Sequence, residues 1–337
     1  MRGFEFVGYG GPEKMRLSEV PPPSVGPTDV LVRVQAAGIN PVDFRIREGA
    51  MRSFDHRSFP FVAGGEIAGT VESIGSSVEG FTLGETVFAR LNKSLLGGLA
   101  EFVAVDQSLL AHIPANLSFP EAAGVPLAGL TALQMLRDEL KITPGYRLYI
   151  VGGAGGVGTF AIQIAKHLGA YVATTASPSG LALVTSLGAD EVVDYTTTNV
   201  TDVLHGFDGA LDLRGGNDLV AAMRVVKAGG AIVSVAGIPE PQTARVDLNR
   251  KGLLPLIFWF ASRKVRRAAK LRGVSYRRPF MRPSGADLTD LATMIEEGSV
   301  RVIVEATYPL HEAAAAFAHL ERGHAKGKII VTLEPEG

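Results

Sequence analysis

The 337-residue chain has no cysteine. That excludes disulfides, a thiol nucleophile and any cysteine-ligated zinc. Charge of one sign is also missing. Lys and Arg number 33 against 34 Asp and Glu, a formal net charge of −1. Electrostatics therefore favours no polyanion, and nucleic acid is not an expected partner. A long apolar run is absent too. The most hydrophobic stretch, Leu253 to Ala261, falls well short of the roughly 20 residues a bilayer span needs. Met1 to Gly10 lacks the continuous apolar core of a secretory signal, so a cytoplasmic location is expected. The seven histidines form no HxxxH or HExxH pair, and no metal site is expected.

Glycine is abundant, with 40 residues clustered between apolar runs, as in a strand-rich α/β protein of two domains. The most informative cluster lies in Arg147 to Lys166. Leu148–Val151 is an apolar run of strand length. Gly152, Gly153, Gly155, Gly156 and Gly158 follow, then apolar residues at helical spacing from Phe160 to Leu168. Strand, glycine turn and helix in that order is a dinucleotide-binding unit, and Gly153-x-Gly155-x-x-Gly158 supplies its fingerprint. Gly153, Ala154, Gly155, Gly156, Val157 and Gly158 are thus candidate pyrophosphate contacts at a helix N-terminus. A Walker loop is excluded, because Thr159 stands where its lysine must be. Strands are predicted at Ala170–Ala176 and Glu191–Tyr195, with a helix over Leu181–Leu187 between them.

The second strand bears on the choice of nicotinamide. An NAD site places an acid about 20 residues past the glycines to bind the ribose 2′-hydroxyl. Between Thr159 and Ala189 there is neither Asp nor Glu, and Thr175, Ala176 and Ser177 hold the expected position. Thr175, Ser177 and Ser179 can donate hydroxyl hydrogen bonds to a 2′-phosphate, and Tyr195 can border the adenine. NADPH is the expected cofactor. No Lys or Arg lies between Lys166 and Arg214 to add a local counter-charge. The alternative is that the serines only end a strand and cap the next helix.

The flanking sequence reads as short strands with turn signals: Asp29–Gln35, Phe61–Gly75, Gly84–Phe88 and Gly98–Val105. A helical segment, Pro120–Leu140, leads into the nucleotide unit. Beyond it come a strand Phe207–Asp212, a helix Val220–Lys227, a turn at Gly229-Gly230 and a strand Ala231–Gly237. Ligands of parallel sheets lie past the strand ends. Leu213 and Val235, Ala236 and Gly237 are therefore candidates for backbone contacts on the nicotinamide side. Arg277–Pro283 is expected to be the last strand of that sheet, Asp287–Glu297 a helix, Val300–Val304 a strand, Glu312–Arg322 a helix and Lys328–Leu333 a closing strand.

In this order the chain resembles the medium-chain dehydrogenase/reductase superfamily, and within it the zinc-independent quinone oxidoreductases and alkenal reductases. The residues that carry the resemblance are Gly38-Ile-Asn-Pro-Val-Asp43, Gly64-Gly-Glu-Ile-Ala-Gly69, Pro126-Leu-Ala-Gly-Leu-Thr131, Gly152 to Gly158, Leu187-Gly-Ala-Asp190 and Gly327-Lys-Ile-Ile330. The resemblance implies an α/β architecture. A GroES-like, partly closed β-domain (1–123 and 284–337) is joined to a Rossmann doubly wound parallel-sheet domain (124–283), with the active site in the cleft between them. It also implies that Asn40, Gly65 and Leu127 stand where zinc-dependent relatives carry metal ligands. Asn40 and Thr131 are then expected near the nicotinamide, with Asp43 beside them in an orienting role. Read locally, Asn40 to Asp43 is a turn with an Asp helix cap, and Thr131 is an intrahelical hydroxyl. Many quinone oxidoreductases have a Tyr where this chain has Arg45, a residue read as solvated.

The expected activity is hydride transfer from NADPH to a quinone or an α,β-unsaturated carbonyl, in a possible homodimer. The alternatives are a 2-enoyl thioester reductase and a non-catalytic NADPH-binding sensor. Leu253–Ala261 is expected to be a buried helix at a subunit contact or cleft wall, with Phe258, Trp259 and Phe260 at a hydrophobic edge. Arg263 to Lys270 follows it, and apolar-then-basic also describes a membrane-surface helix.

Overall fold

A computed structural model describes residues 1–50, 52, 58–92, 96–323 and 325–333. The chain divides into two compact units, Met1–Leu130 with Pro283–Gly337, and Thr131–Arg282. The first division falls inside the helix Pro126–Gln134.

The first unit is built on the strand Asp29–Ile39. Its alternation buries Val30, Val32 and Val34, and the run then continues through the buried Ala36, Ala37 and Ile39. It pairs antiparallel with Glu66–Ile74, with Phe102–Asp106 and with the closing strand Lys328–Thr332. The closing strand pairs in parallel with Val304–Pro309. The strand expected at Val300–Val304 is therefore displaced, because pairing begins at Val304 opposite Lys328. In the core of this unit the Phe317 ring lies 6.1 Å from Phe4 and 5.6 Å from Phe6, centroid to centroid. Pro120–Leu140 is not one helix. Gly124 ends the segment Phe119–Ala123, Pro126 begins a new helix, and Met135–Glu139 widens to a π turn. Proline lacks the N–H that would continue the first helix, and it biases Val125 away from helical angles.

The second unit holds a six-stranded parallel sheet. Across it the strands run Glu191–Asp194, Tyr171–Ala176, Arg147–Val151, Phe207–Asp212, Val226–Ser234 and Ser275–Arg277. Numbered along the chain this is 3-2-1-4-5-6, the doubly wound dinucleotide-binding order. The order reverses at Arg147–Val151, which puts the ligand crevice beyond Val151, where the glycines follow. The fifth strand starts at Val226, before the expected turn. Its register jumps from Phe207↔Val226 to Gly209↔Ala231, so Lys227 to Gly230 bulge out, with Gly229 at φ +86°. The preceding helix is accordingly Gly216–Val225. The core gathers Tyr149, Phe207, Leu219, Met223 and Ile232 with Val265 and Ala269.

The helix Leu253–Ala261 is not buried within this chain. Pro255 and Phe258 face inward, whereas Trp259 and Phe260 are exposed. No helix among the described residues is long and apolar enough to cross a membrane.

Candidate functional site

In the first unit a set of polar groups converges on Glu66, which is fully buried. Gly38 stands opposite both Glu66 and Ile330 in the sheet. A Cβ there would lie 2.3 Å from Glu66 Oε1 and 2.6 Å from the Ala123 carbonyl, so only glycine lets the carboxylate in. Glu66 Oε1 accepts from Lys328 Nζ at 2.7 Å and from Asn40 Nδ2 at 2.7 Å. Its Oε2 accepts from the Leu127 N–H. Lys328 also donates to Asn40 Oδ1. A buried carboxylate is tolerable only when paired and fully hydrogen-bonded, and this one is.

Asn40 occupies the N-cap of the helix Pro41–Arg47, and Asp43 sits in its first turn. The helix cap expected at Asp43 is thus held by Asn40. Asp43 reaches back, its Oδ2 accepting from the Asn40 N–H at 2.7 Å. The other oxygen, Oδ1, is buried without a hydrogen-bond partner. Burial pushes the Asp43 carboxyl up to about 6, aided by Glu66 and opposed by Arg90, the Asn40 N–H and Lys328. Asn40 Nδ2 carries two hydrogens, of which Glu66 takes one. Arg45 is exposed, in keeping with the solvated reading.

The three positions matched to metal ligands do not fit a metal. Asn40 is committed to Glu66 and Lys328, and Leu127 contributes its backbone N–H to the cluster. At Gly65 an added Cβ would fall 1.9 Å from Arg90 Nη1. The guanidinium fills the space a side chain there would enter, and it donates to the Gly65 carbonyl. Among the described residues no group of three or more His, Asp or Glu gathers as a metal site.

In the second unit, the ends of five adjacent strands carry the nucleotide candidates. Gly152, outside the three-glycine fingerprint, takes the positive φ of +86° that makes the turn. Gly153 packs under the sheet, where a Cβ would lie 2.3 Å from Thr174 Oγ1. Gly158 brings the helix Gly156–His167 against the turn, where a Cβ would lie 2.5 Å from the Gly152 carbonyl. Gly155, the N-cap, would put its Cβ no nearer than 3.7 Å to anything, and its open side is where a phosphate can approach. Ala154 packs near Gly180, Val157 follows in the first helical turn, and the cradle fits a dinucleotide.

Thr175 lies behind that cradle. It is buried, and its Oγ1 is 3.4 Å from the Gly152 N–H, so it braces the turn instead of offering a hydroxyl to solvent. Ser177 and Ser179 do sit at the rim, their hydroxyls 3.2 Å apart and exposed. Tyr195 follows the neighbouring strand end and is half exposed. Two residues near this cradle were missed. Arg214, remote in sequence, lays its stem within 3.4 Å of a Cβ placed on Gly152, and its guanidinium lies 5.8 Å from the Tyr195 ring centroid. The guanidinium also donates from Nε to Asp218 Oδ2 at 2.7 Å, so it stands there as one half of an ion pair. Asp212 is fully buried and accepts from the N–H groups of Arg214 and Gly215 and from Ser234 Oγ. The same Ser234 hydroxyl accepts from the Gly237 N–H at 2.7 Å. Asp212 thereby sets the turns at Leu213 and at Val235, Ala236 and Gly237. A charged residue ending an apolar strand was the available signal.

Thr131 is buried and is the first residue of the second unit, whereas Asn40 and Asp43 belong to the first. The Glu66 and Lys328 partners were also missed. Each is a charge heading an apolar strand, which burial obliges to pair.

Residues 26–115 match the family described as alcohol dehydrogenase GroES-like domain, and residues 187–331 match the one described as zinc-binding dehydrogenase. The chain is 34% identical to the chloroplastic NADPH-dependent alkenal/one oxidoreductase of Arabidopsis thaliana, over 98% of this chain and 79% of that protein. The quinone oxidoreductase from Coxiella burnetii has a similar structure, with a TM-score of 0.85 and 27% identity over 99% of both chains. The Escherichia coli quinone oxidoreductase complexed with NADPH gives 0.82 and 26% over 98% of this chain and 100% of that one. With a GroES-like domain and a Rossmann sheet in one chain, and with these relatives along nearly its whole length, the chain belongs to the medium-chain dehydrogenase/reductase superfamily.

Proposed function

We propose that the chain is an NADPH-dependent, zinc-free reductase that delivers hydride to a quinone or to the β-carbon of an α,β-unsaturated carbonyl. The observation that carries this is the cradle at the switch point. Gly155 is open to a phosphate, Ser177 stands at the rim in place of the usual acid, and the Arg214 guanidinium, paired with Asp218, lies beside Tyr195. The reduced nicotinamide, when bound, supplies the hydride. The relatives named for alkenal/one and quinone reduction support the substrate class.

The protein's part is binding and orientation. Val157 and the glycine N–H groups hold the pyrophosphate, and Ser177 with Arg214 favours the 2′-phosphate. Tyr195 borders the adenine. Asp212 holds the backbone of Leu213 and Val235 to Gly237 for the nicotinamide side. Asn40, fixed by Glu66 and Lys328, keeps one amide hydrogen for a carbonyl oxygen that gains charge. Reduction of the acceptor leaves a hydroquinone anion or an enolate, either basic enough to take its proton from water. Positioning therefore provides most of the acceleration.

The test follows nicotinamide absorbance with NADPH and then NADH against an ortho-quinone, a para-quinone, an enone and an alkenal. Turnover of at least one acceptor with NADPH preferred is expected. Tight NADPH binding without turnover of any acceptor would overturn the reductase reading.

A further inference from the structure

Residues 248–282 contain no Asp or Glu, yet hold eleven of the chain's 33 Lys and Arg. The rest of the chain carries all 34 acidic residues against 22 basic ones, so the near-neutral total hides a strong segregation. Two helices display it, Leu253–Ala261 and Arg263–Leu271, joined through Ser262.

The first helix turns its apolar side outward. Leu253, Leu256, Ile257 and Phe260 recur at the spacing of one helical face, and they are 68%, 49%, 49% and 62% exposed. Trp259 is exposed beside them. Five large apolar side chains exposed within one nine-residue helix form a contiguous patch rather than scattered surface hydrophobics. The second helix is anchored in the core by Val265 and Ala269 and presents Arg263, Lys264, Arg267 and Lys270 to solvent. Among the described residues none of these four has a carboxylate partner. The two helices are locked together. Ser262 Oγ donates to the Phe258 carbonyl at 2.6 Å, and Arg266 donates to Ser262 Oγ at 3.0 Å and to the Trp259 carbonyl at 2.9 Å.

We propose that this surface docks on an anionic lipid bilayer, its apolar helix lying in the interface and its basic helix against the headgroups. Charge complementarity selects that occupant. A symmetric contact between two copies would set the same patch against itself, cation facing cation. A purely polyanionic ligand would leave the apolar face in water. An acidic membrane satisfies both, burying the apolar face while its anionic headgroups attract each Lys and Arg near the surface. The surface lies wholly within the second unit and is independent of the reductase reading.

Trp259 is the only tryptophan of the chain, so its emission reports directly on this face. The full-length protein is mixed at low salt with phosphatidylcholine vesicles, with or without phosphatidylglycerol. A blue shift and cosedimentation with the anionic vesicles alone are expected, both fading as salt rises. Arg263→Glu with Arg267→Glu should weaken binding roughly tenfold or more, and Leu256→Ser should weaken it as well. Thermal unfolding and NADPH affinity of these variants should match the parent. No shift with anionic vesicles, or equal binding to neutral ones, would overturn the proposal. So would a concentration-dependent dimer dispersed by the same substitutions, which would assign the face to a second copy.

Discussion

Arg90 occupies the space that a side chain at Gly65 would enter, with Nη1 only 1.9 Å from the site of an added Cβ. A cation thus plugs one of the positions that the zinc-dependent pattern reserves for a ligand. Gly65→His should restore a donor without creating a zinc site, since the guanidinium repels a dication. It should also cost about 1–3 kcal/mol by overpacking. Denaturant unfolding and zinc content measure the two effects. Stoichiometric zinc in a fully stable variant would contradict this account.

The Asp43 carboxyl makes stability depend on pH in an unusual direction. Its value of about 6 exceeds the ordinary 3.8 because burial disfavours the anion, so the native state holds the proton more tightly than the unfolded chain. The contribution is fully present below about pH 4 and is lost as pH rises through 6. It amounts to on the order of 2–3 kcal/mol. Asp43→Asn, whose side-chain oxygen can still accept from the Asn40 N–H, should flatten this decline. The difference in unfolding free energy between parent and variant, followed from pH 4 to pH 8 (a range set by these two values), should grow in favour of Asn. A constant difference would show that Asp43 does not titrate there.

Lys328 and Glu66 form a buried pair at 2.7 Å, 3% and 0% exposed. Lys328→Met strands a buried carboxylate and should cost about 3–5 kcal/mol. Adding Glu66→Gln removes that charge, so the double variant should be more stable than Lys328→Met alone. A double-mutant cycle measures the coupling, and additive effects would mean that the two groups are screened from each other.

Cofactor choice should respond to two residues at the rim of the glycine cradle. Ser177→Asp should raise the KM for NADPH about tenfold or more and leave NADH nearly unaffected, because a carboxylate repels the 2′-phosphate. Arg214→Ala should also penalise NADPH about tenfold, the scale of a lost charge-assisted hydrogen bond. Steady-state kinetics with both nucleotides separates the possibilities. An equal loss for both would confine Arg214 to bracing the turn beside Gly152.

Most of the second unit is legible in the sequence. Leu148–Val151, the glycines and the Phe160–Leu168 periodicity are local signals, and backbone hydrogen bonding turns such signals into the same elements in most contexts. Element ends were less legible. The strand at Val304–Pro309 is positioned by its pairing with Lys328–Thr332, and a partner strand leaves no mark on the segment it captures.

By itself the sequence determined the doubly wound sheet, the phosphate-binding turn and the missing acid, because each depends on residues within a few positions of one another. Only the tertiary structure decided the polar cluster. Lys328 meets Asn40 and Glu66 across 288 and 262 residues. It decided, too, that Arg214 returns to the glycine turn and that Thr175 braces this turn from behind instead of facing solvent. It also turned the most hydrophobic segment outward. Burial and ion pairing are properties of who ends up beside whom, and chain order does not carry them.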